Sequence, residues 1–293
     1  MNGSDSKSRI LIQLDPDLQP SVFDSVVAVD AGADILLRHA GVTPEQVQNL
    51  VHGAIFTRGP EDLHNTAIFI GGSQVSQGEA LLNAVVKSFF GPLRVSVMLD
   101  PNGSNTTAAA AVRVAAKECQ LAGATSLILA GTGPVGRRAA RLLAREGSAV
   151  RVGSRSVERA ASVCQKIGQQ LAGSTLSPHA TETEEQTSAA LDGVQVVIAA
   201  GAAGVRLLSA DLLRASTGLQ VAIDLNAVPP AGIDSIEVVD RAVGRHGISC
   251  YGAIGVGGIK MKIHKAALRR LFDDNQLVLD AEEIYSLASD MGL

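Results

Sequence analysis

The chain has no tryptophan and only 3% aromatic residues, so its core must be built from smaller side chains. It has no excess of positive charge; the formal net charge is −4. That removes the basic footprint by which proteins hold nucleic acid or an anionic membrane surface. It has no long hydrophobic run. The longest, such as Val194 to Val205, are interrupted by glycine and fall short of the about 18 residues that a membrane span needs. Met1 to Arg9 lacks the apolar centre of a secretory signal and reads as a disordered leader. Cysteine is scarce: Cys119, Cys164 and Cys250 are odd in number and far apart. They make no metal-binding spacing and suit a reducing compartment, so a cytoplasmic location is expected. No histidine pair has metal spacing on a helix, and no G-x-S-x-G or Ser/His/Asp pattern occurs. Neither a metal nor a covalent nucleophile is expected.

What is present is 46% hydrophobic residues and 30 glycines in a chain of 293. That length allows two medium domains. Small aliphatic residues with many glycines suit buried parallel strands alternating with helices, an α/β fold. The apolar composition also allows a subunit interface, and a homo-oligomer is expected. Strands are predicted at Ile10 to Leu14, Ala54 to Thr57, Thr66 to Ile70 and Arg94 to Leu99. Between them, helices are predicted at Pro20 to Val29, with Ser21 as N-cap, and at Glu79 to Phe90. After the turn Asp100 to Thr107, the alanine-rich stretch Thr106 to Gln120 predicts the helix that connects the domains.

Further strands are predicted at Ser126 to Ala130, Ala149 to Val152, Val194 to Ala200 and Leu219 to Asp224. A helix is predicted to run to Glu146, and Gly173 to Ser188 reads as a polar connection with Thr181 and Glu184 starting a helix. Tyr251 to Gly258 is glycine-rich, and Lys260 is expected to open the helix that follows it. Lys260 to Phe272 reads as a basic helix, and Asp280 to Met291 as a terminal amphipathic one.

The strand before Ala130 runs into Gly131-Thr132-Gly133-Pro134-Val135-Gly136 and then a helix. In that frame the three glycines allow the tight turn, the close approach of backbone to a pyrophosphate, and the packing of helix on strand. The helix N-terminus faces the phosphates with unpaired N–H groups. A ligand-free glycine turn is the alternative. The next strand ends Ser154-Arg155, without the acid that holds the ribose 2′-hydroxyl of NAD. Arg155 suits a 2′-phosphate and Ser154 can donate to it, so NADP is favoured over NAD. Arg155 and Arg159 could otherwise be solvated charges at a helix start. Ala200, Gly201 and Asn226 stand in strand-end loops where a nicotinamide would pass. Asp100, Asn102, Ser104, Asn105, Thr106 and Thr107 make the densest polar cluster, beyond what helix capping requires. Lys260 is either a solvated face residue or a group beside the reacting centre.

The chain resembles the methylene-tetrahydromethanopterin dehydrogenases of methylotrophic bacteria, closest to the NADP-dependent branch that also accepts methylene-tetrahydrofolate. The likeness spans nearly the whole chain. It is carried by Pro20–Asp24, Phe56–Arg58, Thr66–Gly72, Phe89–Pro92, Asp100–Ala110, Ala130–Gly136, Asn226–Pro230, Gly252–His264 and Asp280–Tyr285. The resemblance implies a pterin-binding α/β domain over residues 1–107, with helices from 259–293 returning to it. It implies an NADP-binding Rossmann domain over 108–258 and an active-site cleft between the two. It places the family's lysine at Lys260, the pterin-facing loop at Asp100 to Thr107, and the 2′-phosphate partner at Arg155. Asp24 and Asp100 would bind the pterin's N–H donors or offset developing positive charge. The implied reaction is direct hydride transfer from the methylene-pterin to NADP⁺ in formaldehyde-oxidising one-carbon metabolism. The rivals are a two-domain NADP oxidoreductase of the shikimate-dehydrogenase kind and a non-catalytic NADP sensor. The former needs a Lys/Asp pair or a cysteine in the N-terminal part. The first hundred residues hold no cysteine and only Lys7 and Lys87 as lysines.

Overall fold

A computed structural model describes residues 7–293. Most of the expected leader therefore lies outside the described residues. Along the chain run β1 (Ile10–Leu14), α1 (Val22–Asp30), β2 (Ile35–His39), α2 (Pro44–Ile55), β3 (Thr66–Ile70), α3 (Val75–Lys87), β4 (Ser96–Leu99) and α4 (Ser104–Glu118). Then come β5 (Thr125–Leu129), α5 (Pro134–Arg145), β6 (Ala149–Ser154), α6 (Val157–Gln170), β7 (Leu176–Ala180), α7 (Glu184–Leu191) and β8 (Val196–Ala199). The chain continues through α8 (Ala210–Ala215), β9 (Val221–Asp224), β10 (Val243–Arg245), β11 (Ile248–Tyr251), α9 (Ala253–Arg270), β12 (Val278–Leu279) and α10 (Ala281–Asp290). Strand–helix alternation of this kind gives parallel sheets, and the expected α/β class is what the chain adopts. Among the described residues no helix is long and apolar enough to cross a membrane.

The chain divides into two units. One holds the chain up to Thr106 together with Met261–Leu287; the other holds Thr107–Lys260 and Ala288–Leu293. In the first, the strand order is β12-β4-β3-β1-β2 and every pairing is parallel. The order reverses direction between β1 and β3, which makes their carboxyl ends the natural ligand crevice. Ile12, Leu14, Ile68, Ile70, Val97 and Leu99 bury one face of this sheet against Val47, Val51, Ile55 and Val85 of α2 and α3. In the second, the order is β10-β11-β9-β8-β5-β6-β7, antiparallel only at β10. Its reversal lies at β5, where β6 stands on one side and β8 on the other.

Four sequence expectations give way here. Ala54 to Thr57 is not a strand: Ala54 and Ile55 close α2, whose start is set by Pro44 and a Thr43–Gln46 capping box. Val47, Val51, Ala54 and Ile55 are its buried stripe, so the short apolar run was one edge of a 3.6-residue period. The polar stretch from Gly173 contains the edge strand β7, which needs few apolar residues because only β6 pairs with it. The following helix is capped by Thr183, not Thr181, again with a capping box to Gln186. The helix expected to open at Lys260 begins earlier, within the glycine-rich run after Tyr251. That run forms the first two turns of α9, and Lys260 sits inside that helix rather than opening it. Glycine is needed there because a Cβ at Gly252 or Gly255 would collide with the carbonyl oxygens of Glu237 or Asp240.

Candidate functional site

In the second unit, Ala130 ends β5 in a left-handed conformation, φ 55°, unusual for a residue with a Cβ. This turn aims the following glycines across the sheet top. A Cβ on Gly131 would stand 2.9 Å from the Val152 side chain, and one on Gly136 would stand 2.7 Å from Gly131 Cα. Both glycines are therefore demanded by the fold itself. A Cβ on Gly133 would meet nothing nearer than 3.5 Å, the Ala130 carbonyl. The fold leaves that space open, as close passage of a pyrophosphate requires. Gly133 caps α5, whose first turn carries Pro134 and Val135 and no acidic residue. The Ala200 carbonyl lies 3.7 Å from the same built atom, so the loop after β8 faces the glycine turn.

Beside this turn is a cavity of about 330 Å³. Ala130, Thr132, Ser154, Arg155 and Gly201 line it, which brings together predicted cofactor residues from the ends of β5, β6 and β8. The Ser154 hydroxyl accepts from Ser156 N at 3.2 Å, which leaves its proton for a ligand. Two cations join Arg155: Arg159 in the first turn of α6, and Arg206, from the loop before α8. Arg206 was missed because nothing in its local sequence marks it; only the strand order brings that loop beside β6. It is held 3.4 Å from Asp234, both side chains being solvated. Glu182 and Glu184 also line the cavity. The Asn226 side chain is engaged within its own loop. Its amide donates to the Pro230 carbonyl at 2.9 Å and accepts from Val228 N at 3.0 Å, so it shapes its own loop. Asp224 anchors that loop by accepting from the N–H groups of Asn226, Gly232 and Ile233. Burial pushes its carboxyl up, against the three N–H donors that lower it.

In the first unit, the crevice between the carboxyl ends of β1 and β3 holds Asp15, Asp24 and Gly71. A Cβ on Gly71 would stand 3.4 Å from one carboxylate oxygen of each aspartate. Asp15 is buried and accepts from Asp17 N and Ser21 N; burial pushes its carboxyl above the ordinary aspartate range, against those two N–H donors. Phe69 stacks on the ring of His264, centroids 5.8 Å apart, and Phe23 tilts against the same ring at 6.2 Å. His264 is fully buried and stands one turn along α9 from the half-exposed Lys260. Asp15, Gly71 and His264 were not singled out in the sequence; the signal available was the reversal of strand order, visible only once the pairing is known.

The polar cluster at Asp100 divides in two. Asp100, Asn105 and Thr106 are fully buried. Asp100 accepts from Asn105 N at 2.8 Å and from the Thr106 hydroxyl at 2.6 Å. Asn105 donates to Asp280 at 2.8 Å. These three tie β4 to α4 and α10, so part of the cluster is held by the fold itself. Asn102, at φ 53°, is exposed, Thr107 is half-exposed, and Ser104 is buried. Asn102 N donates to the Gly72 carbonyl at 2.7 Å, which joins this turn to the loop after β3. Thr107 belongs to the second unit, the other members of the cluster to the first. Among the described residues no group of three or more His, Cys, Asp or Glu could hold a metal ion.

The fold of the whole chain is similar to shikimate 5-dehydrogenase from Listeria monocytogenes, with a TM-score of 0.56 over 98% of this chain and 96% of that one. At 13% identity this is a likeness of fold alone. Residues 22–102 match the family described as methylene-tetrahydromethanopterin dehydrogenase, N-terminal. Two proteins of Methylorubrum extorquens match almost end to end. "Bifunctional protein MdtA" is 42% identical over 97% of this chain and 99% of its own length. An "NAD(P)-dependent methylenetetrahydromethanopterin dehydrogenase" is 33% identical over 96% and 98%. The chain belongs to the methylene-tetrahydromethanopterin dehydrogenase family.

Proposed function

We propose that the chain oxidises N5,N10-methylene-tetrahydromethanopterin to its methenyl form by direct hydride transfer, with NADP⁺ as the acceptor. The reaction class follows from the family. The choice of NADP rests on one observation: the cavity beside the glycine turn is lined by Ser154, Arg155, Arg159 and Arg206, with no acid at the end of β6. Three guanidinium groups suit a 2′-phosphate, whereas an NAD site uses an acid on the ribose. Gly131, Thr132, Gly133, Pro134, Val135 and Gly136 would hold the pyrophosphate, and Ala200 and Gly201 would let the chain of the cofactor pass. The nicotinamide held there would supply the hydride acceptor at its C4.

The pterin would lie against the crevice of Asp15, Asp24 and Gly71, with Asn102, Ser104 and Thr107 as further polar candidates. The two carboxylates suit the amino and N–H donors of a pterin ring. The substrate's own nitrogens stabilise the methenyl cation, so the residues act by positioning and by excluding water. Lys260 binds the pterin carbonyl or a carboxylate of its tail and orients the ring. The setting is cytoplasmic one-carbon metabolism of formaldehyde-derived units. NADPH formation is measured with methylene-tetrahydromethanopterin and methylene-tetrahydrofolate, each with NADP⁺ and NAD⁺. The reading expects pterin-dependent reduction, fastest with NADP⁺. Absence of pterin-dependent reduction would remove the reaction; a preference for NAD⁺ would remove the role given to the arginines.

A further inference from the structure

Asp224, which ends β9, is a buried carboxylate that does not line the cavity beside the glycine turn. Its oxygens accept from Asn226 N at 3.0 Å, Gly232 N at 2.7 Å and Ile233 N at 3.1 Å. A charge is kept inside a protein only where several donors meet it. Of the side chains of this size, only a carboxylate accepts on both of its polar atoms. Asparagine, of nearly the same shape, would turn its NH2 group toward at least one of these N–H donors. The arrangement therefore holds segment 232–234 to the end of β9. That segment in turn holds the loop after β8. The Gly232 carbonyl accepts from Leu207 N at 2.8 Å and from Leu208 N at 3.1 Å, and Asp234 N donates to the Leu208 carbonyl at 2.9 Å. Leu208 and Ile233 are both buried and pair as a β-bridge, which fixes the junction inside the core.

Arg206 immediately precedes Leu207. Its side chain is 58% exposed, and its pairing with Asp234 at 3.4 Å is solvated. Such a pair is too weak to fix a long side chain in one place. The position of Arg206 at the cavity of Ser154, Arg155 and Arg159 therefore comes from its backbone anchor. We infer that Asp224 is a positioning residue for Arg206: through segment 232–234 it sets where this guanidinium meets the 2′-phosphate, and so how strongly NADP is preferred over NAD. The inference rests on the NADP reading given above. NADP and NAD differ only in that phosphate. A residue that acts through Arg206 shifts the affinity for one relative to the other, whereas a loosened fold weakens both alike. The bond from Asn226 N to Asp224 serves the loop where the nicotinamide would pass, which both dinucleotides share. The ratio of the two affinities therefore isolates the part played through Arg206.

The test is the ratio of NADPH to NADH affinity, measured on the full chain by fluorescence titration, with circular dichroism and thermal melting to confirm folding. The wild type is expected to bind NADPH more tightly than NADH. Arg206→Ala should lower the ratio about tenfold, the loss expected of one hydrogen bond to a charged group. Asp224→Ala should lower it too, but it leaves three buried N–H groups unpaired and should also lower the melting temperature. Gly232→Ala keeps the carboxylate. Its methyl group would stand 2.6 Å from an Asp224 oxygen, so the segment must shift off its anchor. This variant should lower the ratio at least about threefold, a part of the same hydrogen-bond loss. Arg206→Ala combined with Gly232→Ala should lower it no further than Arg206→Ala alone, because both changes act on one contact. A wild-type ratio in Gly232→Ala, or losses that add in the double variant, would overturn the inference and leave the NADP reading standing. An unchanged ratio in Arg206→Ala would overturn it as well. Equal affinities for NADPH and NADH in the wild type would remove the NADP reading, and this inference with it.

Discussion

Two glycines three residues apart should fail in opposite ways when each becomes alanine. At Gly136 the added methyl group would stand 2.7 Å from Gly131 Cα and 2.9 Å from the Ala130 carbonyl oxygen. Both are backbone atoms, so the turn or α5 must move. Overpacking of this kind costs about 1–3 kcal/mol, which corresponds to a loss of roughly 3–8 °C in melting temperature for a unit of this size. At Gly133 the nearest atom is 3.5 Å away, and the backbone lies at φ −72°, ψ 169°, open to any residue. Gly133→Ala should therefore melt within about 2 °C of the wild type, since fitting Gly-to-Ala changes alter stability by less than about 1 kcal/mol. Its methyl group, however, occupies the path of the pyrophosphate. NADPH affinity should fall at least about tenfold, roughly 1.4 kcal/mol. The assay is paired: thermal unfolding without ligand, then titration with NADPH by fluorescence. Equal melting losses in the two variants would refute the packing argument. Wild-type NADPH affinity in Gly133→Ala would refute the placement of the pyrophosphate.

Lys260→Ala should lower kcat sharply while NADPH titration stays unchanged; wild-type turnover would take Lys260 out of the mechanism. Asp15→Asn tests the buried crevice by pH. Burial raises the Asp15 pKa above that of an ordinary aspartate, so the fold favours the protonated form. Its stabilising contribution is then full below the unfolded value and is lost as pH rises through the folded one. Asparagine has no charge to bury, so the stability of Asp15→Asn relative to wild type should improve as pH rises above about 4. A difference that stays flat between pH 3 and 7, measured by urea unfolding, would contradict this.

Much of the second unit was legible in the sequence because its signals are local. Ser126 to Ala130 reads as a buried strand, the glycines follow at once, and Ser154-Arg155 stands at the end of the next strand. Each piece of the dinucleotide turn lies within thirty residues of the others, so spacing alone locates it. The first unit was read less well. Helix α2 was hidden because Thr43, Pro44 and Gln46 signal its start across a stretch with modest hydrophobicity, and its last turn imitates a strand. β2 was missed because an edge strand with exposed residues has no clean alternation. The polar cluster at Asp100 was visible, yet its division into buried caps and exposed groups was not. That division depends on α10, which reaches Asn105 through Asp280, 175 residues away. Asp15, Gly71, His264 and Arg206 gained meaning only from strand order, which no single stretch of sequence contains.

Direct hydride transfer is the centre of this account, and isotopic labelling tests it most directly. The enzyme is given NADP⁺ and methylene-tetrahydromethanopterin carrying two deuterium atoms on the methylene carbon, in ordinary water. The recovered NADPH is then analysed by mass spectrometry and by NMR at C4. The account predicts one deuterium per NADPH, on a single face of the ring, with none lost to solvent. NADPH without deuterium, or no NADPH at all, would contradict it.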